Sequence, residues 1–114
     1  MKVSLVKEQT VRNYARKHAE ARTSCADFIS RIKTADWEKP DDLKATFGSV
    51  DILGKGTYRA VFDIGGNNHR FICKYRFGKT SVRLYVLWLG THAEYTALCH
   101  KEQQYTADNH EKYI

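Results

Sequence analysis

Among 114 residues there are one proline, one methionine and three cysteines. Cys25, Cys73 and Cys99 are odd in number, widely spaced and form no Cys-x-x-Cys. Cys73 falls on the core face of a strand and Cys25 in an apolar helix stripe, which argues for buried, reduced thiols and a reducing cytoplasm. No apolar run is long enough to cross a bilayer, and the N-terminus has no apolar signal-peptide core, so no membrane association is expected. The five histidines stand at no ligand spacing with cysteine or carboxylate, which argues against a metal site. One further absence is local: no carboxylate occurs between Asp63 and Glu94.

What is present is cationic. The formal net charge is +6 and the pI near 9.3, pointing to nucleic acid or an acidic partner. Hydrophobic content of 42% and charged content of 28% are ordinary for one globular domain, and residues 1–114 read as a single unit with a frayed polar tail over 106–114. From Tyr58 to Tyr95, three β-rich runs separated by Gly65-Gly66-Asn67-Asn68 and Gly78-Lys79-Thr80-Ser81 predict an antiparallel meander. Centring the first turn on Gly66-Asn67 sets Asp63 opposite Arg70, Val61 opposite Ile72 and Arg59 opposite Lys74. Centring the second on Lys79-Thr80 sets Arg76 opposite Arg83, Lys74 opposite Tyr85 and Arg70 opposite Leu89. One face is then apolar, from Ala60 and Phe62 through Cys73 and Tyr75 to Val86 and Trp88. The other carries Arg59, Arg70, Lys74, Arg76, Arg83 and Tyr85. Like charges set opposite one another cost stability, which an anionic ligand would offset.

Apolar spacing predicts a helix from about Val6 to Ala21 and a second to about Thr34, capped at Ser24 with Asp27 three residues on. Met1 to Val6 reads either as an edge strand or as the lead into the first helix. Trp37, expected over the helix–sheet seam, precedes a short helical turn running from Asp41 to Phe47. A loop from Gly48 to Gly56 leaves Lys55 exposed between glycines. Thr91-His92-Ala93-Glu94 is a capping box that starts a C-terminal helix. The expected architecture is α+β: an N-terminal helical hairpin on one face of an antiparallel meander of three to four strands, followed by a C-terminal helix.

The turn before Arg70 and the segment Thr91–Tyr95 fall at one edge of that sheet. Free N–H groups at the helix start favour a phosphate there. Arg70 would hold a scissile phosphate and stabilise the charge accumulating on it. His92 and Tyr95 would move protons for attack by a ribose 2′-hydroxyl and departure of the 5′-oxygen. Arg59, Asn67, Lys74, Arg76, Arg83 and Lys55 would contact the RNA backbone, and Tyr85 a base. No metal or other cofactor is required when the nucleophile belongs to the substrate. Each feature also has a structural reading: Glu94 as a helix start, Gly65–Asn68 as a tight turn, Arg70 as the partner of Asp63, Trp88 as core.

The motifs Trp37-x-x-Pro40-x-Asp42-Leu43-Lys44-x-x-Phe47, Val61-Phe62-Asp63-Ile64-x-Gly66-Asn67-x-x-Arg70 and Gly90-Thr91-His92-Ala93-Glu94-Tyr95 together resemble the HigB family of type II toxins, in the RelE-like superfamily. The resemblance runs over nearly the whole chain up to Tyr95. It implies a cytoplasmic, metal-independent endoribonuclease acting on mRNA at the ribosome. It also implies a cognate helix-turn-helix, HigA-like antitoxin that supplies any DNA binding. Arg70, His92 and Tyr95 match the positions associated with activity, and Asn67 the turn before them. Three departures stand out: Leu87 where relatives often carry a basic residue, His69 where an aromatic is usual, and a longer tail. The alternative is a non-catalytic RNA- or antitoxin-binding module.

Overall fold

A computed structural model describes residues 1–114. The chain forms β1 (Lys2–Val6), α1 (Glu8–Lys17), α2 (Arg22–Thr34), α3 (Leu43–Thr46), β2 (Asp51–Ile52), β3 (Arg59–Ile64), β4 (His69–Phe77), β5 (Ser81–Thr91) and α4 (His92–His100), with a final 3₁₀ turn at His110–Tyr113. The five strands make one sheet in the order β1-β5-β4-β3-β2. The α+β expectation holds. Of the two readings of Met1 to Val6, the edge strand is the one formed, over Lys2–Val6, paired parallel to β5 from Lys2↔Ser81 to Val6↔Tyr85.

That pairing shortens the first helix relative to its expected span, because the chain cannot turn helical before Lys7, which reverses direction at φ 68. Helix α1 stops at Lys17, and a 3₁₀ turn at Ala19–Ala21 leads into α2. Ser24 therefore lies inside α2 and not at its cap, which is Ala21. The apolar stripes fall as the spacing requires: Val11, Tyr14 and Ala15 on α1, and Cys25, Phe28, Ile29 and Ile32 on α2 are all buried. They close over Phe62, Phe71, Val82 and Leu84 of the sheet, with Trp37 in the same core. Each valine, leucine, isoleucine or phenylalanine among them contributes about 1.5–3 kcal/mol by leaving water. Trp37 also donates from Nε1 to Thr46 Oγ1 at 2.9 Å, tying the segment after α2 to α3.

The β3–β4 register is the expected one, with Arg59↔Lys74, Val61↔Ile72 and Asp63↔Arg70. Between β4 and β5 it begins as expected, with Arg76↔Arg83 and Lys74↔Tyr85, and then shifts. Cys73 pairs with Val86 but Ile72 with Trp88, leaving Leu87 as the extra residue of a β-bulge. Arg70 consequently faces Gly90 in place of Leu89. The slip also exchanges faces: Leu89 joins the main core, while Trp88, expected beside Val86, turns to the opposite face. There it forms a second, smaller cluster with Leu53, Val61 and Ile72, covered by Tyr95, Leu98, Tyr105 and Ala107.

Residues 106–114, expected to fray, are held in place. The parallel partner of β5 ends opposite Tyr85, so the edge beyond it is bare, and Asn109 occupies it. Its backbone N–H donates to Leu87 O at 2.9 Å. Its side chain accepts from Leu89 N at 2.9 Å and donates to Leu89 O at 2.8 Å. The end of the chain then reaches α1, where Tyr113 O accepts from Asn13 Nδ2 at 2.7 Å and the Tyr113 ring meets Tyr14.

Candidate active site

Arg70 sits on β4 just after the hairpin turn. Gly66 carries φ 68 at the first central position, a conformation glycine adopts without steric penalty, and Asn68 N closes the turn on Gly65 O at 3.3 Å. This turn returns Asn67 to Arg70, whose Nη2 donates to Asn67 Oδ1. Arg70 Nε pairs with Asp63 Oδ1 at 3.0 Å and Nη1 donates to His69 O at 3.1 Å. A guanidinium has five N–H donors, and these bonds take three. The head group is thus oriented from three directions, with two donors left for a ligand. The Asp63 pairing and a ligand-binding role use different edges of the same group.

The other two side chains arrive on α4. Thr91 Oγ1 accepts from Glu94 N at 3.2 Å, and Glu94 Oε1 accepts from Thr91 N at 2.9 Å, so the capping box forms. His92 N donates to Asn68 O at 2.8 Å, fastening the helix start to the hairpin turn. Arg70, His92 and Tyr95 consequently line one cleft of about 310 Å³. His92 is exposed and Tyr95 half-buried, its ring centroid 6.1 Å from that of Trp88. Burial, and next the adjacent Cys99 thiol, push the Tyr95 phenol up, so it stays protonated and presents a hydrogen-bond donor to the cleft. The same cleft is lined by Thr96, Cys99 and His100, which sequence reasoning passed over. The signal was there: His92, Thr96 and His100 recur every four residues on a helix.

The remaining cations do not join this cleft. Arg59 lies under the tail, its Nη1 donating to Ala107 O at 2.7 Å and Gln104 O at 3.3 Å, and burial lowers its pKa. Expected to face RNA, its guanidinium is instead taken up by carbonyls of the tail. Lys55 stands at φ 62 with its ammonium 4.3 Å from the centre of the Tyr105 ring. It is exposed but has an aromatic partner. Lys74, Arg76 and Arg83 are exposed and Tyr85 half-buried at the other end of the sheet. The apolar cover over Ile72 and Trp88 separates them from Arg70, so the expected continuous basic face is two regions.

His69, at the position where the resemblance leads one to expect an aromatic ring, behaves as a core residue. It is 3% exposed, its Nδ1 shares a hydrogen bond with Tyr14 Oη at 2.7 Å, and its Nε2 lies 3.3 Å from Glu20. Burial lowers its pKa in spite of Glu20.

A five-stranded sheet with a helical hairpin and a C-terminal helix is an α+β fold consistent with a RelE-like toxin. The chain belongs to the HigB_toxin family, the RelE-like toxic component of a toxin-antitoxin system, which it matches over residues 21–98. It is similar to the mRNA interferase toxin HigB of Escherichia coli K12, at 29% identity over 91 residues, covering 80% of this chain and 86% of that one. The mRNA interferase HigB of Shigella flexneri is similar to the same extent. That of Escherichia coli O6:H1 is 30% identical over 84 residues, or 74% of this chain and 80% of its own. The family implies an antitoxin as partner. No helix is long and apolar enough to cross a membrane.

Proposed function

We propose that this toxin is an endoribonuclease that cleaves mRNA on the ribosome, in the cytoplasm, and is silenced by a helix-turn-helix antitoxin. The convergence of Arg70, His92 and Tyr95 on one cleft carries this reading, and the relatives named mRNA interferase support it. The substrate's own 2′-oxygen attacks the adjacent phosphorus. The P–O5′ bond breaks, leaving a 2′,3′-cyclic phosphate and a new 5′-hydroxyl. Arg70 neutralises the charge on the non-bridging oxygens with the donors that Asp63, Asn67 and His69 leave free. His92 takes the 2′-hydroxyl proton, and the protonated Tyr95 phenol supplies one to the leaving oxygen. Asn67 holds Arg70, while Lys74, Arg76, Arg83, Tyr85 and Lys55 contact flanking RNA.

Primer extension on mRNA from cells expressing the protein tests this. New 5′-hydroxyl ends are expected, reduced about a hundredfold by Arg70→Ala and strongly by His92→Ala. Unchanged ends in both variants refute the site. A second reading, a binder without catalysis, draws on Arg70 being only 10% exposed. It predicts growth arrest or antitoxin capture with no new ends at all.

A further inference from the structure

A second cavity, of about 820 Å³, lies at the far end of the sheet from Arg70. On β4, Arg76 is six residues from Arg70, or about 20 Å at strand rise. Its wall is aromatic. Tyr58 meets Tyr75 edge-on at 6.1 Å and 86°, and Tyr75 meets Phe77 at 5.9 Å and 77°. Tyr58 is 59% exposed, while every other phenylalanine, tyrosine and tryptophan is at least partly buried. Its backbone stands at φ 57, held there by the bond from Tyr75 N to Tyr58 O at 2.8 Å. A bulky residue rarely adopts that conformation, and such strain gathers at ligand clamps.

The rim is cationic: Lys7, Lys39, Lys74 and Arg76. None of them enters a salt bridge. The single carboxylate there, Glu38, is taken by the N-terminal ammonium of Met1 at 2.7 Å. Lys7 repeats the strained left-handed backbone, at φ 68. Cations free of salt bridges around an exposed ring and an apolar floor match a ligand that is anionic and flat at once. A nucleotide has both properties, whereas an acidic peptide would leave the aromatic wall unused.

We propose that this cavity is a second RNA-binding site, in which a base stacks on Tyr58 and Lys74 and Arg76 hold its phosphates. Resting on the endoribonuclease reading, it assigns the site to a single-stranded stretch of RNA held about 20 Å from the scissile phosphate. The apolar cover over Ile72 and Trp88 keeps the two sites apart.

Anisotropy with a labelled 2′-O-methyl RNA, which has no free 2′-hydroxyl and cannot be cleaved, reads binding without catalysis. Tyr58→Ala is expected to weaken binding about tenfold with an unchanged salt slope, and Tyr58→Phe to restore it. The double variant Lys74→Gln/Arg76→Gln is expected to flatten the slope of log K against log salt by about 1.4, at about 0.7 per phosphate contact. Binding of Tyr58→Ala within twofold of the unmodified protein overturns the proposal, as does loss of antitoxin binding with RNA binding intact. So does failure of the unmodified protein to bind this RNA. Cleavage that survives in Arg70→Ala and His92→Ala sinks the catalytic assignment but leaves this result standing, so the two failures are distinguishable. Melting temperatures of the Tyr58 variants equal to the parent's show that the fold is not the cause.

Discussion

Replacing Gly90 with alanine tests the bulge, the second core cluster and the site together. A β-carbon built on Gly90 would stand 2.7 Å from Cζ2 and 3.0 Å from Cζ3 of the Trp88 indole, with Cη2 closer still. That ring is only 6% exposed, packed with Leu53, Val61 and Ile72 beneath Tyr95. It cannot swing aside into solvent as a lysine tip would. Gly90 has no positive φ, so the substitution brings no backbone strain and removes some unfolded-state entropy, a gain of about 0.4–1 kcal/mol. Overpacking costs about 1–3 kcal/mol and outweighs that gain. The net expectation is a loss of about 1–2 kcal/mol, or roughly 4–8 °C in melting temperature for a domain of this size. Fluorine NMR of fluorotryptophan-labelled protein should show the Trp88 resonance moving while that of Trp37, in the other cluster, stays. Because Gly90 pairs with Arg70, cleavage should fall too. In a Trp88→Phe background the smaller ring should relieve the clash, and Gly90→Ala should then cost less than in the parent. Equal cost in both backgrounds, or a raised melting temperature, refutes the reasoning.

Asn109→Ala removes the two side-chain bonds to Leu89 that close the bare edge of β5. A loss of about 1–2 kcal/mol is expected, with faster hydrogen exchange at the Leu89 amide. An unchanged exchange rate there would show the tail is not anchored through this residue. For His69 the folded-state pKa lies below the unfolded value, because burial disfavours the imidazolium and His18 adds to this against Glu20. The unfolded chain therefore takes up the proton first. The contribution of neutral His69 is complete above about pH 6.5 and is lost as pH falls through the lowered value, by at most about 1.4 kcal/mol per pH unit. Urea midpoints measured from about pH 7 to pH 5 should fall less in His69→Gln, which keeps a partner for the Tyr14 hydroxyl and cannot titrate. Parallel curves for the two proteins would remove His69 from the account.

Most of the fold was legible because it rests on local rules. Alternation between Arg59 and Ile64 and around the Gly66-Asn67 turn determined the β3–β4 register, and the Thr91/Glu94 box determined where α4 begins. What was illegible follows from one residue. Leu87 looks like its neighbours in an alternating strand, and nothing local says that it will be bulged. The bulge transfers Trp88 to the opposite face and Gly90 to the position beside Arg70. The contacts of the tail were illegible for a similar reason: Asn109 and Tyr113 are polar or isolated in sequence, and their partners on β5 and α1 are distant along the chain. The place of Arg59 was hidden with it, since only a docked tail supplies the carbonyls that hold it.

By itself, then, the sequence determined composition, the helical hairpin, the meander and the three side chains brought to one end of it, because periodicity, turns and caps act over a few residues. Tertiary structure alone decided how the basic residues divide between two clefts, which face each half of β5 presents, and which cations remain free to meet a ligand. Those outcomes depend on competition between distant segments for the same strand edge and the same apolar surface. No single stretch of the chain carries that competition.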